Sequence, residues 1–308
     1  MARRVVITGA TGFIGRALCQ ALHGDYEIVA LSRDATRAAG AIGAYAKIFE
    51  WDGRTASTWA GQVDGAYGVI HLAGESVAQG RWTQAKVDSI LKSRTNGVNA
   101  VVEAVVAARN KPAVVIQGSA VGYYGSRGDE ILTEDSLPGA TFLAEVCERA
   151  ERVGAGVGKA GVRHVVIRTG MALGLQGGAL PRLMAPFRFL LGGHIGSGRQ
   201  WISWIGLEDE VRAIRFLLEN PNLAGVFNLT TPHPVTMKQF VRILGSVLHR
   251  PAWTMLPGFA VRLALGRMAN EVLLASQNAI PKRLIDAGFE FRYPELRNAL
   301  EAVVHEGG

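Results

Sequence analysis

The chain has 308 residues, and since domains take about 100 to 200 residues each, it has room for one large domain or two moderate ones. With 48% hydrophobic residues, 19% charged residues and 38 glycines, the composition excludes extensive disorder and the fibrous classes. The formal net charge is +7, but the 33 basic residues are scattered without a block of like charge, so nucleic acid is not an expected partner. A positive surface suits a phosphorylated cofactor or a small anionic substrate instead.

Only Cys19 and Cys147 are present, both in segments of helical period, so neither a disulfide framework nor a cysteine metal site is expected and a reducing compartment is indicated. Met1-Ala2-Arg3-Arg4 runs straight into Val5-Val6-Ile7-Thr8-Gly9 without a secretory h-region of about 7 to 15 apolar residues. No apolar run reaches about 18 residues. The expectation is a soluble, cytoplasmic protein with no membrane partner.

In chain order, Val5 to Thr8, Ile28 to Leu31, Ala46 to Phe49, Gly68 to Leu72, Ala113 to Gln117 and Val165 to Arg168 read as short strands rich in Val and Ile. Helical segments alternate with them. Thr83 to Arg109 places Val87, Ile90, Leu91, Val98, Val101, Val102 and Val105 on one stripe, and Ala140 to Val157 does the same with Phe142, Val146, Ala150 and Val153. Such alternation predicts an α/β fold with parallel strands joined by crossover helices over residues 1–170. Beyond residue 170 the alternation fails. Glycine-rich loops such as Gly192 to Gly198 separate helices near Glu208 to Leu218, Met237 to Leu248 and Phe259 to Val272, which predicts a smaller, mostly helical substrate domain over 171–308. Gly225 to Leu229 is an exception, a strand-like run whose expected place, within 225–231, is back in the main sheet.

Directly after the first strand comes Thr8-Gly9-Ala10-Thr11-Gly12-Phe13-Ile14-Gly15, leading into an amphipathic helix from Phe13 to Leu22. Gly9 permits the tight turn, Gly12 lets the backbone approach a pyrophosphate, and Gly15 lets the helix pack on the sheet. Thr11, Phe13 and Ile14 complete the loop, whose helix amino terminus offers N–H groups and a positive dipole end to phosphates. A strand before it and a helix after it make this a dinucleotide-binding loop.

The second strand ends Leu31-Ser32-Arg33-Asp34, where NAD-binding folds carry an acidic residue for the adenosine ribose. Ser32 cannot repel a 2′-phosphate, and Arg33 can bind one, which favours NADP(H). The competing reading makes Arg33 an ordinary surface residue and Asp34 the ribose ligand. Asp52, ending the third strand, is suited either to the adenine amino group or to capping a turn.

These residues, with His71-Leu72-Ala73-Gly74 closing the fourth strand, resemble the extended short-chain dehydrogenase/reductase superfamily. Gly74-Glu75, Arg81-Trp82-Thr83, Lys86, Ile90, Ser93-Arg94, Ser119 to Gly125, Arg168-Thr169-Gly170 with Leu173-Gly174, and Gly198 to Ile205 before Asp209 narrow the match. They are similar to its atypical subgroup, the NAD(P)-dependent epimerase/dehydratase or sugar-nucleotide epimerase family with its own carboxyl-terminal domain. The resemblance implies a doubly wound Rossmann sheet, a nicotinamide cofactor bordered also by Leu72, Ala73, Gly74 and Ser119, and a substrate cleft between sheet and second domain. It also implies a homodimer formed through Thr83 to Arg109 and Ala140 to Val157.

Superfamily enzymes use a Tyr-x-x-x-Lys pair on one helix face, lysine lowering the tyrosine pKa. No such pair exists in this chain: the tyrosine slot falls on Phe142 or Leu143 and the lysine slot on Val146 or Cys147. Ser119, Tyr123 and Tyr124 are the substitute catalytic candidates, with Glu75 and Lys86 behind them unless these two form an ion pair. The seven histidines show no metal-ligand spacing, so no metal is expected, and Gly118-Ser119-Ala120-Val121-Gly122 lacks the glycine of a nucleophile elbow. Two readings remain: an NADP(H)-dependent oxidoreductase or epimerase-like enzyme acting on a small oxygenated or nucleotide-sugar-like substrate, and a non-catalytic NADP(H)-binding regulatory or sensor protein.

Overall fold

The computed structural model describes residues 3–78 and 80–305; Met1 and Ala2 of the amino-terminal segment and the last three residues of the 171–308 unit lie outside them. The first half runs β1 (Arg3–Thr8), α1 (Phe13–Leu22), β2 (Tyr26–Ser32), α2 (Ala35–Ile42), β3 (Lys47–Glu50), β4 (Gly68–His71), α3 (Gln84–Ala107) and β5 (Val114–Ala120). It continues through β6 (Ile131–Leu132), α4 (Phe142–Gly154), α5 (Gly156–Lys159) and β7 (Arg163–Thr169). After these come β8 (Met171–Leu173), α6 (Leu180–Met184), β9 (Gly192–Ile195), β10 (Trp201–Ile202), β11 (Trp204–Gly206), α7 (Leu207–Glu219) and β12 (Gly225–Leu229). The remaining elements are β13 (Val235–Thr236), α8 (Met237–Val247), β14 (Ala252–Leu256), α9 (Gly258–Leu265), β15 (Asn278–Ala279), α10 (Lys282–Asp286) and α11 (Leu296–His305).

Seven strands form one sheet in the order β12-β7-β5-β4-β1-β2-β3, every pair parallel. Parallel strands are covered on both faces, which is why these segments are almost continuously apolar. Val5, Ile7, Ile70, Ile116 and Ile167 turn towards Leu18 of α1 and Ile214 and Leu217 of α7. Val6, Val29, Val69 and Val115 face Val101 and Val105 of α3 on the other side. Strand order reverses between β1 and β4, so a crevice opens beyond their carboxyl ends, the place where such sheets bind ligands.

A separate core of Leu173, Phe187, Trp204, Phe240, Leu244 and Leu300 holds together the part of the second half that lies outside the main sheet's core. Two-stranded ribbons stitch its helices: β8 with β11, β9 with β14, β10 with β13, and β6 with β15. Two expected helices are interrupted. The Ala140 to Val157 segment divides at Ala155, where Gly154 lies so close to β5 that a Cβ there would meet the Gln117 side chain at 1.8 Å. The Phe259 to Val272 segment ends its α-helix at Gly266, whose positive φ of +61° favours glycine, and a wide turn over Ala269–Leu273 follows.

Candidate functional site

Gly9 takes φ +70°, and a Cβ there would sit 2.7 Å from the Ala73 backbone nitrogen, so only glycine lets the ends of β1 and β4 close together. At Gly15 a Cβ would come within 2.2 Å of the Gly9 carbonyl, which fixes α1 tightly against the turn. The Gly12 N–H donates to Gly9 O at 2.9 Å, and α1 starts without any side-chain cap. Its first amides, from Phe13 to Gly15, therefore have no acceptor among the described residues and point into a cradle suited to a pyrophosphate. A cavity of about 260 Å³ runs from this cradle past Ala73 and Gly74 to Ser119, Arg94 and Cys147. Thr11 does not line it, though Gly9, Gly12, Phe13, Ile14, Gly15 and Leu72 do.

At the far ends of β2 and β3 the polar groups sort themselves by hydrogen bonding. Asp34 Oδ1 accepts from Arg37 N at 2.9 Å and caps α2, so one of its carboxylate oxygens is already engaged. Ser32 Oγ stays local, donating to Asp34 O at 3.1 Å. Arg33 is exposed, its Cδ 3.8 Å from where a Gly53 Cβ would lie, between the ends of these two strands. For Asp52 the turn-capping reading is seen: its Oδ1 accepts from Arg54 N and Thr55 N at 2.8 and 2.9 Å and its Oδ2 from Thr55 Oγ1. Those bonds lower its pKa, backbone N–H of Thr55 foremost.

On α4 the register facing the cavity is that of Cys147 and Ala150. Phe142 and Val146 instead pack with Ile90 between α3 and α4, Phe142 edge-on to Trp82. The residue standing in the lysine slot is thus Cys147. Burial raises its thiol pKa, which keeps it protonated rather than a thiolate nucleophile.

Of the substitute candidates, the structure brings only Ser119 to the cavity. Its hydroxyl donates to Glu151 Oε1 at 2.6 Å, and Glu151 accepts two further bonds from Arg168, at 3.0 and 2.7 Å. The Arg168 guanidinium carbon lies 3.3 Å over the Tyr123 ring. Tyr124 is a correction: it is fully buried, donates to Asn228 Oδ1 at 2.7 Å and accepts from Arg168 at 3.1 Å. Burial pushes its phenol up to about 12, and the residue is a structural strut. Tyr123 does not line the cavity either; its ring serves as the platform for Arg168, and burial again raises its pKa. Glu75 and Lys86 pair with each other, as their alternative reading had it.

Three further groups lie at or beside the site without a role assigned from sequence. Arg94 reaches the cavity from α3, held by Nη1 bonds to Glu75 O at 3.0 Å and Ile90 O at 3.3 Å. The signal was available, because Arg94 interrupts the apolar stripe of Ile90, Val98 and Val101, and a charge in a buried stripe needs a reason. His71 is buried on Thr8 Oγ1 at 2.8 Å, and burial lowers its pKa to about 4. Glu210, fully buried on α7, accepts from Thr169 Oγ1 at 2.8 Å, and Thr169 lines the cavity. Desolvation raises the Glu210 carboxyl to about 8, leaving it neutral at pH 7.

A phosphate cradle at the switch point of a seven-stranded parallel sheet, opening into a polar pocket, defines a nicotinamide-dinucleotide protein. Residues 5–229 match the NAD dependent epimerase/dehydratase family, to which the chain belongs, and residues 256–303 match a domain of unknown function, DUF1731. It is similar to the epimerase family protein YfhF of Bacillus subtilis (strain 168), 37% identical over 302 residues covering 97% of each chain. An Arabidopsis thaliana relative, the chloroplastic homolog of epimerase family protein SDR39U1, is 38% identical over 97% of this chain and 86% of its own. The crystal structure of human SDR39U1 (isoform 2) with NADPH superposes with a TM-score of 0.89 at 31% identity, covering 98% of this chain and 99% of that one. Among the described residues no helix is long and apolar enough to cross a membrane, and no cluster of side chains could hold a metal ion.

Proposed function

We propose that the protein is an NADP(H)-dependent oxidoreductase or epimerase-like enzyme acting on a small substrate whose reacting carbon bears oxygen, as in a nucleotide-sugar. The supporting observation is that a single cavity joins the phosphate cradle to the Ser119 hydroxyl and the Arg94 guanidinium. Arg33, with Asp34 turned away to cap α2, favours the phosphorylated cofactor, and the relative solved with NADPH agrees with that choice. A dinucleotide whose pyrophosphate is held by the Gly9 to Gly15 cradle would supply hydride exchange through its nicotinamide.

The remaining chemistry falls to the chain. As a substrate hydroxyl is oxidised, Ser119 Oγ takes its proton while Ser119's own proton passes to Glu151, whose carboxylate Arg168 holds in place. In the reverse direction the same path returns the proton. Arg94 places a fixed positive charge in the cavity against developing oxyanion charge, the service that lysine performs in the usual pair. The same reading includes pairing of two copies through α3 and α4, to be checked by sedimentation.

The test is turnover of stereospecifically deuterated NADPH with a library of carbonyl compounds. Label transfer that falls about 100-fold or more in Ser119→Ala supports the relay. Absence of transfer to any compound, with NADPH still bound, favours the second reading, a non-catalytic NADP(H)-binding regulatory protein, for which the missing Tyr-Lys pair speaks.

A further inference from the structure

The second half of the chain displays apolar side chains that its own core does not use. Phe189, Leu190 and Leu191 are consecutive and exposed, at 75%, 46% and 60%. Trp253, Met255 and Leu256 on β14 are exposed at 76%, 58% and 51%, and Phe259 and Leu263 on α9 at 71% and 79%. Three adjacent exposed apolar residues weaken solubility without adding to the core, so a surface of this kind is kept for contact.

Hydrogen bonds make these residues one face. The Trp253 indole N–H donates to Leu190 O at 2.8 Å, and the Thr254 hydroxyl donates to Leu191 O at 2.9 Å. At the other end of the ribbon the Gly196 N–H donates to Leu256 O at 2.9 Å, after which the chain turns into α9. Leu190 takes φ +59°, a left-handed conformation that residues with a Cβ avoid, and the turn is anchored by Phe187 buried beneath it. Helix α9 buries Val261 on one side and exposes Phe259 and Leu263 on the other, so it is apolar towards solvent as well as towards the core.

The segments that build this face carry charge of one sign. The sequence has no Asp or Glu between Glu151 and Glu208, nor between Glu219 and Glu271. Within those stretches Arg188 adjoins Phe189, Arg250 precedes β14, and Arg262 adjoins Leu263. All three arginines are exposed, and none forms an ion pair among the described residues; Arg267 does, with Glu271.

We propose that this face docks the protein on the surface of an anionic lipid bilayer. Trp253, Phe259, Leu263 and the Phe189 to Leu191 turn enter the boundary between headgroups and acyl chains, while Arg188, Arg250 and Arg262 meet lipid phosphates. Trp, Phe and Leu set among arginines without an acid is the composition of interfacial membrane-binding surfaces. A second copy is a poorer occupant, because a two-fold contact would bring identical cationic flanks together. A protein partner is poorer too, since protein interfaces surround their apolar centre with a mixed polar rim. The sequence expectation of no membrane partner tested only for spanning runs. Here the apolar surface is assembled from separate segments, which leaves no such run.

The experiment uses the full chain with vesicles of phosphatidylcholine alone and of phosphatidylcholine mixed with phosphatidylglycerol, read by co-sedimentation and by quenching of tryptophan with brominated lipid. The expected result is salt-sensitive binding to the anionic vesicles only. Trp253→Ser and Phe259→Ser should each weaken it by roughly tenfold, the scale set by burying one large apolar side chain. Both sites are exposed, and unchanged NADPH binding verifies that the variants fold. Failure to bind anionic vesicles, equal binding to neutral ones, or binding indifferent to both substitutions overturns the proposal. So does self-association that the substitutions abolish in a chain that ignores vesicles, which would make the second copy the occupant.

Discussion

Glu210→Gln should make the protein more stable at neutral pH, and by an amount that grows with pH. Glu210 is completely buried; one oxygen accepts from Thr169 Oγ1, while Oε2 has no partner among the described residues. Desolvation raises its carboxyl from 4.5 to about 8. Between these values the folded protein holds a proton that the unfolded chain has lost, so stability is fully present below about pH 4.5 and falls as pH rises towards 8. Each pKa unit corresponds to about 1.4 kcal/mol, which puts the loss at pH 7 on the order of 3 kcal/mol. Glutamine keeps the acceptor for Thr169 and never ionises. Urea unfolding of both proteins, followed by tryptophan fluorescence from about pH 5 to pH 8, should give a stability gap that is small at the acid end and widens steadily. Other titrating groups are common to the two proteins and cancel in the difference. A gap that stays constant over this range, or a variant less stable at pH 8, would refute the assignment of a neutral buried acid. If the assignment holds, a neutral acid stands behind cavity-lining Thr169, accepting its hydroxyl without placing a negative charge beside the cleft.

Arg33→Ala should weaken NADPH binding by about tenfold to hundredfold, the worth of one charged hydrogen bond, and leave NADH unchanged; calorimetric titration showing equal losses would remove Arg33 from the 2′-phosphate. Gly12→Val should abolish binding of both cofactors with the circular dichroism spectrum preserved, since its Cβ starts 3.0 Å from the Gly9 carbonyl and fills the cradle. Burial lowers both His71 and His164 to about 4, so each contributes stability that is lost as pH falls from about 6.5 towards 4, opposite in sign to Glu210. Histidine NMR titration should find two imidazoles neutral at pH 5.5, and ordinary midpoints for all seven would contradict their burial.

What the sequence could convey followed from how local each determinant is. The strands and the glycine loop were legible because alternation of apolar runs and the spacing of Gly9, Gly12 and Gly15 are properties of contiguous residues. Asp34 and Asp52 each had two readings that differ only in where a short carboxylate turns, and the nearest backbone N–H groups engage both as caps. Tyr124 stood as a substitute for the missing tyrosine of the usual pair, but the turn at Val121–Tyr124 sends its ring into the interior to meet Asn228, far away in sequence. Arg94 is signalled by its place in the apolar stripe of α3, whereas Glu210 on α7 depends on Thr169 of β7, a partner that neither spacing nor composition at its own position announces.

The missing Tyr-Lys pair shows where one-helix reasoning stops, and it yields a last prediction. Cys147 occupies the lysine slot that faces the cavity, and the charge there comes from Arg94 across the cavity on α3. Burial holds the Cys147 thiol neutral in a pocket that already contains one cation. Restoring lysine with Cys147→Lys, even together with Leu143→Tyr, should therefore not raise activity. It sets two positive charges in a partly desolvated space, where like charges about 4 Å apart repel by roughly 4 kcal/mol at an effective dielectric of 20. Cys147→Lys should accordingly lower stability markedly in the Arg94 protein and much less in the Arg94→Ala protein. A double-mutant cycle should give a coupling on the order of 1 to 3 kcal/mol, the range for groups in direct interaction. Additive effects would mean that the two positions do not share a site, and Arg94 would then lose its place as the cation of this cavity.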